Sequence, residues 1–154
     1  RAHHVAALGR KVCLWDNWPV NDGARMSRFL HLRAFTGRPA AIADHITGHA
    51  VNPAIQAHLG CIPALTLPML YAQGDRYAYG AAFDAAARTL LGAEFTQRLR
   101  QDLPALQDVG YERLGARADR LRARYRDIDH PAAREILRWL DGHDLMTDDE
   151  VQTQ

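Results

Sequence analysis

A short apolar run and a second short segment, each followed at once by polar residues, stand out in the first third of the chain. The run Val12–Trp15 leads into the polar loop Asp16–Asp22, and the segment Gly48–Val51 leads into Asn52-Pro53. Four apolar residues in a row, as in Val12–Trp15, favour a strand that is buried on both faces, as in parallel sheets, and Gly48–Val51 is predicted to be a second strand. A helix predicted over Ala40–His45, just after a proline, lies between the two predicted strands. The pattern therefore predicts a strand–helix–strand unit with parallel strands.

The remainder of the chain has helical periodicity. A helix is predicted to start at Asn52-Pro53, and the sequence from Pro63 onward is predicted to be wholly helical. Later apolar residues recur every three or four positions, in stripes typical of helix faces that pack in a core. The stripes are Phe83, Ala87, Leu90 and Leu91; Phe95, Leu99 and Leu103, ended by Pro104; Leu114, Ala118, Leu121 and Tyr125; and Ile136, Leu137 and Leu140. Gly74-Asp75 interrupts the pattern, so we predict a domain boundary near Gly74, with residues 1–74 on one side and 75–154 on the other.

Polar side chains follow both predicted strands. The carboxyl ends of parallel strands lie at the same rim of a sheet, so Asp16, Asn17 and Asn52 should converge. Carboxylates, carboxamides and indoles are the groups that hold a polyhydroxylated ligand, by hydrogen bonds and by packing on its C–H surface. The alternative is a loop whose Asn and Asp residues serve only turns and helix caps.

The run Val12-Cys13-Leu14-Trp15-Asp16-Asn17-Trp18-Pro19-Val20-Asn21-Asp22 resembles a motif of glycoside hydrolase family 84, the O-GlcNAcases and bacterial hyaluronidase-like β-N-acetylglucosaminidases. Thr36-Gly37-Arg38 and Gly48–Pro53, which leads into Gln56-Ala57, follow at the family's spacing. The resemblance covers about residues 11–75. One departure is visible: the family usually has Gly-Pro before Thr-Gly-Arg, where this chain has Arg33-Ala34-Phe35.

The resemblance implies an α/β fold: the last strands and helices of a (β/α)8 TIM barrel, followed by a small all-α domain. A complete barrel needs about 200 residues or more, and the chain has 154. The implied activity is retaining, substrate-assisted hydrolysis of terminal β-linked N-acetylglucosamine. The family's catalytic pair of adjacent aspartates comes from an earlier strand, so we expect no catalytic residue in this segment. Asp148-Asp149 lies in a polar tail and is interpreted as a chance match.

The resemblance also assigns substrate-binding residues. It implies that Asp22 accepts hydrogen bonds from two adjacent sugar hydroxyls, and that Asn17 and Asn52 bind the sugar or orient the catalytic carboxylates. Trp15 would wall the acetamido pocket. From the residues alone, Asp22 could equally be a turn or helix cap, and Trp15 could be an ordinary core residue.

Neighbouring residues are expected to have structural duties. Asp16 and Asn21 are predicted to bind backbone and to shape the loop, and Arg38 to anchor a loop or a carboxylate. Cys13, inside the predicted strand, is expected to be a buried free thiol.

Charge and composition exclude several other classes. The net charge of +1 provides no strong attraction to nucleic acid or to a membrane, and the arginine-rich run 113–126 is interpreted as a solvated helix face. His45, His49 and His58 share no helix face, so no metal and no cofactor is expected.

The expected partners are a glycan or glycoprotein containing N-acetylglucosamine and the rest of the barrel. No signal peptide or membrane span is visible in this segment, so a soluble protein of bacterial-type composition is expected. The alternative function is a non-catalytic helical module used for assembly.

Overall fold

A pair of parallel strands precedes a set of packed helices in the computed structural model, which describes residues 2–147 and 149. A short helix, α1 (Ala2–Ala6), comes before the strands β1 (Val12–Asp16) and β2 (Ile46–Val51). The helices that follow are α2 (Ala57–Gln73), α3 (Tyr79–Leu91), α4 (Ala93–Leu103), α5 (Arg117–Tyr125) and α6 (Pro131–Leu140). None of the helices in these described residues is long and apolar enough to cross a bilayer.

The predicted strand pairing is confirmed. β1 and β2 are parallel neighbours, with Trp15 opposite Ala50 and Asp16 opposite Val51, so both carboxyl ends lie at one rim. The predicted helix between them is a 3-10 helix, Ala40–His45, and its preceding proline is in an extended conformation. The strands are therefore joined by a loop with two short 3-10 segments, Met26–Arg28 and Ala40–His45.

The prediction that β1 is buried on both faces is wrong for the described residues. Positions along β1 alternate between half-buried and exposed; Cys13 is an exposed thiol, and Trp15 is 69% exposed. The cause is that the described sheet has only two strands, and no further layer covers the outward face of β1. Cys13 is thus not a buried thiol, and Trp15 is not a core residue in this part of the chain.

The helix predicted from Asn52-Pro53 begins later, at Ala57. The intervening residues have a different backbone because the Ile55 N–H donates to the side chain of Asn21 at 2.9 Å. The helix then continues through Pro63 and Pro68 as far as Gly74, whose φ is +55°.

Pro104 does not end the helical path that begins with α4. The chain continues through it as a π-helical turn, Pro104–Val109, and leaves the helix at Gly110. Proline has no backbone N–H to donate to the preceding turn, and in a regular α-helix its ring would collide with a carbonyl of that turn. The wider π-helical turn accommodates the ring.

The predicted helical stripes are confirmed as core. The larger apolar cluster combines residues before β2 with residues of α2 to α6, including Leu30, Leu32, Ile62, Phe83, Leu99, Tyr125, Ile136 and Trp139. A smaller cluster, Phe35, Leu67 and Leu70, lies beside β2. The division into domains at Gly74 stays a prediction, although the larger cluster draws side chains from both sides of that position.

Candidate functional site

Three of the four predicted sugar-binding residues are in hydrogen-bond contact at the carboxyl ends of the strands. The amide of Asn52 donates to Asn17 Oδ1 at 3.2 Å, and the indole N–H of Trp15 donates to the same oxygen at 2.9 Å. The strand pairing continues one step further, where the Asn52 N–H donates to the Asp16 carbonyl at 2.9 Å. We call Trp15, Asn17 and Asn52 the rim cluster.

Asp22, the fourth predicted residue, does not contact the rim cluster. Its side chain is exposed, and its carboxylate makes no hydrogen bond or ion pair with any residue that the structure describes. It caps no helix either: the 3-10 helix that follows, Met26–Arg28, is preceded by Arg25 and has no side-chain cap. The capping role that the sequence left open is therefore absent from these residues.

Asn21, in contrast, is fully buried and shapes the loop, as predicted. Its amide nitrogen donates to the Phe29 carbonyl at 3.0 Å and to Gln56 Oε1 at 2.9 Å, while its oxygen accepts from the Ile55 N–H. Asn21 thus ties the loop after β1, which carries Asp22, to the segment after β2, which carries Asn52.

Asp16 binds side chains, and the prediction that its carboxylate binds backbone is wrong. Arg38 donates to both carboxylate oxygens, at 2.6 and 2.7 Å, which confirms that Arg38 anchors a carboxylate. His49 Nε2 donates to Oδ2 at 3.1 Å. Burial alone would raise the pKa of Asp16, but the hydrogen bonds from Arg38 and His49 outweigh it, so the pKa lies below its ordinary value. Asp16 is therefore a firmly ionised anchor at the end of β1.

Tyr71 of α2 completes this network. Its hydroxyl oxygen lies 2.6 Å from His49 Nδ1, and burial, followed by the nearby charge of Asp16, raises its pKa. The sequence analysis missed both residues. The signal for His49 was strand register: His49 is paired with Leu14, which shares a face with Asp16. No local signal marks Tyr71.

Trp18 and His31 form an aromatic pair within the loop that follows β1. Trp18 stacks on His31 with ring centroids 4.8 Å apart, and its indole N–H donates to the Arg33 carbonyl at 3.1 Å. His31 Nδ1 lies 3.0 Å from the Pro19 carbonyl and must carry the proton there, because a carbonyl only accepts. Burial lowers the pKa of His31 more than its backbone hydrogen bonds raise it, which favours the neutral ring.

Two of the histidines considered as metal ligands have carboxylate partners of their own. His49 belongs to the Asp16 network, and His58 Nδ1 lies 2.8 Å from Glu135. Within residues 2–147 and 149, no three His, Cys, Asp or Glu side chains are grouped as metal ligands would be. Asp148 lies outside the described residues, so the structure does not describe Asp148-Asp149 as a pair.

The chain resembles known proteins in sequence and in fold. The family model described as beta-N-acetylglucosaminidase matches residues 2–107. Among solved structures, a mutant of an O-GlcNAc hydrolase from Thermobaculum terrenum superposes with a TM-score of 0.67 at 21% sequence identity. The match covers 94% of this chain and 39% of that one, so this chain spans well under half the length of the protein it resembles. The likeness shows a common fold. No curated protein matches the chain.

Proposed function

Because the chain belongs to the beta-N-acetylglucosaminidase family, as its motifs indicated, we propose that it is the sugar-binding part of a retaining, O-GlcNAcase-like β-N-acetylglucosaminidase. The observation that carries the proposal is the rim cluster. Two carboxamides and an indole meet at the carboxyl ends of adjacent parallel strands, where α/β enzymes place ligands.

The proposed setting of the rim is a (β/α)8 barrel. β1 and β2 would be its last two strands, within residues 1–74, and residues 75–154 would form a helical domain behind them. The exposure of Cys13 and Trp15 supports this, because parallel sheets are nearly always covered on both faces. The two-stranded sheet also supports it, because two strands alone are marginally stable in water.

Each of the four predicted sugar-binding residues has a proposed role toward the sugar. The exposed carboxylate of Asp22, which has no partner among the described residues, would accept hydrogen bonds from two adjacent hydroxyls toward the non-reducing end. Asn17 and Asn52 would bind the sugar or orient the catalytic carboxylates. Trp15 would present its exposed indole face to the acetamido group. The hydrogen bond from its indole N–H to Asn17 Oδ1 would hold the ring in that orientation.

Bond cleavage is assigned to residues outside this segment. In the proposed mechanism the acetamido oxygen of the substrate attacks the anomeric carbon. One aspartate of a pair from an earlier barrel strand steers that oxygen, and the other protonates the leaving group. Most retaining glycosidases use a carboxylate of the protein as nucleophile, and substrate-assisted enzymes form the exception. The residues described here would hold the sugar in place for that reaction.

The test compares the full-length protein with purified residues 1–154 on an aryl β-N-acetylglucosaminide. We expect release of the phenol by the full-length protein and none by the segment. The matched aryl β-glucoside, which lacks the acetamido group, should not be cleaved, because it has no internal nucleophile. Turnover by the segment would show that the chemistry lies within it. An inactive full-length protein would instead favour the non-catalytic assembly module.

A further inference from the structure

We call the loop after β1, residues 17–39, the rim loop. Three buried polar side chains connect the rim loop and the segment after β2 to the segment that follows α6. They are Asn21, Gln56 and Asp144, with exposed fractions of 0%, 2% and 8%. Gln56 Oε1 accepts from Asn21 at 2.9 Å, and Gln56 Nε2 donates to Asp144 Oδ2 at 3.0 Å. Asp144 is 88 residues away from Gln56 along the sequence. We call these three residues the polar relay.

The carboxylate of Asp144 determines how the amide of Gln56 is turned. An ionised carboxylate only accepts, so Gln56 must turn its NH₂ group toward Asp144 and its oxygen toward Asn21. Asn21 then presents its own NH₂ group to Gln56 and its oxygen to the Ile55 N–H. The same orientation lets Asn21 donate to the Phe29 carbonyl at 3.0 Å, so the polar relay and the neighbouring backbone together hold the Asn21 amide. Arg138 donates to Asp144 Oδ1 at 3.1 and 3.3 Å and holds the carboxylate in place.

Helix α6 and the residues after it also hold the rim loop at Ser27. The indole N–H of Trp139 donates to the Ser27 carbonyl at 2.9 Å, and the Met146 N–H donates to Ser27 Oγ at 3.0 Å. Ser27 and Trp139 are both fully buried. Asp22 therefore lies between two positions, Asn21 and Ser27, that α6 and the residues after it secure.

We propose that Asp144 is a positioning residue for sugar binding: through Gln56 and Asn21 it sets the backbone that presents Asp22. The inference rests on the proposed function, because it takes Asp22 to be the carboxylate that binds the sugar. It adds that the helical part supplies the last link of the binding rim.

The test is a double-mutant cycle in the full-length protein, assayed on the aryl β-N-acetylglucosaminide. Asp144→Leu keeps the branched shape of the side chain but removes both acceptors, and it should lower kcat/KM about tenfold. In an Asp22→Ala background the same change should have almost no effect, since the residue it positions is gone. Asp144→Asn retains one oxygen that can accept from Gln56, and it should recover most of the loss.

Asp102→Leu is the matched control. Asp102 is as buried as Asp144 and is also paired with an arginine, but its contacts are Arg124 and Tyr125 within the helical part. It should lower the melting temperature as Asp144→Leu does and leave kcat/KM of the folded protein unchanged. Hydrogen exchange gives a readout without activity: the Ile55 amide should lose protection in Asp144→Leu and keep it in Asp102→Leu.

The outcomes separate the two proposals. If Asp22→Ala abolishes most activity but the Asp144→Leu effect is undiminished in that background, the positioning role is wrong and the proposed function stands. Unchanged protection at Ile55 would overturn the positioning role in the same way. If Asp22→Ala leaves kcat/KM intact, the assignment of Asp22 to the sugar is wrong, and the role of Asp144 is wrong with it.

Discussion

Adjacent residues of the rim loop have opposite environments. Asn21 is fully buried and uses both ends of its amide, whereas the carboxylate of the next residue, Asp22, is exposed and has no partner among the described residues. A charged group with no structural partner contributes little to stability, so its replacement should be visible mainly in function.

The first prediction concerns Asp22→Ala in the full-length protein. Loss of two charge-assisted hydrogen bonds formed in the transition state amounts to about 3–5 kcal/mol, or roughly a hundred- to several-thousand-fold in kcat/KM. The melting temperature should not change, and Asp22→Asn should fall between wild type and Ala.

Asp44→Ala is the control for this prediction. Asp44 is also exposed, but it precedes β2 and so lies at the opposite end of the strand from the rim. It should leave both quantities unchanged. A lowered melting temperature with normal kcat/KM in Asp22→Ala would identify Asp22 as a structural residue.

A second prediction concerns Asp16 and pH. The pKa of Asp16 is lowered in the folded protein, so its stabilising effect is complete above the ordinary value of 3.8 and is lost as pH falls through the lowered value. Asp16→Asn should therefore reduce the free energy of unfolding by about 1–3 kcal/mol near neutral pH. The difference from wild type should shrink as the pH falls below about 3.8.

Urea denaturation of both proteins over a pH series measures this difference. The exposed Asp44→Asn variant should match wild type at every pH. A wild-type advantage that persists unchanged at the lowest pH would show that ionised Asp16 is not its source.

At the scale of elements, Gly110 marks where the rim loop meets the helices. It ends the π-helical turn with a φ of +83°, and a Cβ placed there would lie 2.8 Å from the ring of Phe29, whose carbonyl accepts from Asn21. Gly92, between α3 and α4, has nearly the same φ, +79°, and open space around it. Substitutions at these two glycines therefore distinguish the cost of backbone strain, which both share, from the cost of a steric clash, which only Gly110 has.

We therefore predict that Gly110→Ala destabilises the protein more than Gly92→Ala does. Both changes place a side chain at a positive φ with an extended ψ, a backbone conformation that only glycine adopts readily, at a cost of about 1–3 kcal/mol. Only Gly110→Ala must also displace the Phe29 ring, which adds about 1–3 kcal/mol. Denaturant unfolding of the two variants measures the difference, and equal losses would show that the Phe29 contact is soft.

Elements were predictable where their signal was local. The pairing of Val12–Trp15 with Gly48–Val51 follows from two short predicted strands that each end in polar residues, and the core positions of α3 to α6 follow from their spacing. The start of α2 at Ala57 was not predictable, because a side chain 34 residues earlier, Asn21, holds Ile55 out of the helix. Asp144 carries no local mark, and Gln56 is marked only by the family resemblance, because the partners that give them a role are distant in sequence.

At the scale of the whole molecule, the sheet is the exposed side of the described structure. The larger cluster packs the helices closely, while Cys13 and Trp15 of β1 face outward. If further barrel strands and helices cover β1, as proposed, the full-length protein should shield residues that the segment leaves open.

Cys13 makes that shielding measurable. In a Cys61→Ser background, which removes the other exposed thiol, Cys13 should react with a thiol reagent readily in residues 1–154. In the full-length protein the reaction should be at least about tenfold slower, because only an accessible thiol reacts. Equal rates in the two proteins would contradict the placement of β1 inside a barrel.

The hydrogen bonds of the rim loop also have a consequence for the order of folding. The Leu30 N–H donates to the Leu106 carbonyl, the Leu32 N–H to Gln107, and Trp139 and Met146 to Ser27, across separations of up to 119 residues. Contacts so distant in sequence form late, because closing a long loop costs entropy before any contact compensates it. On the ribosome the motif is synthesised long before its anchors. A nascent chain that ends before Trp139 therefore carries Asn17 and Asp22 on a loop that still lacks its anchors at Trp139 and Met146.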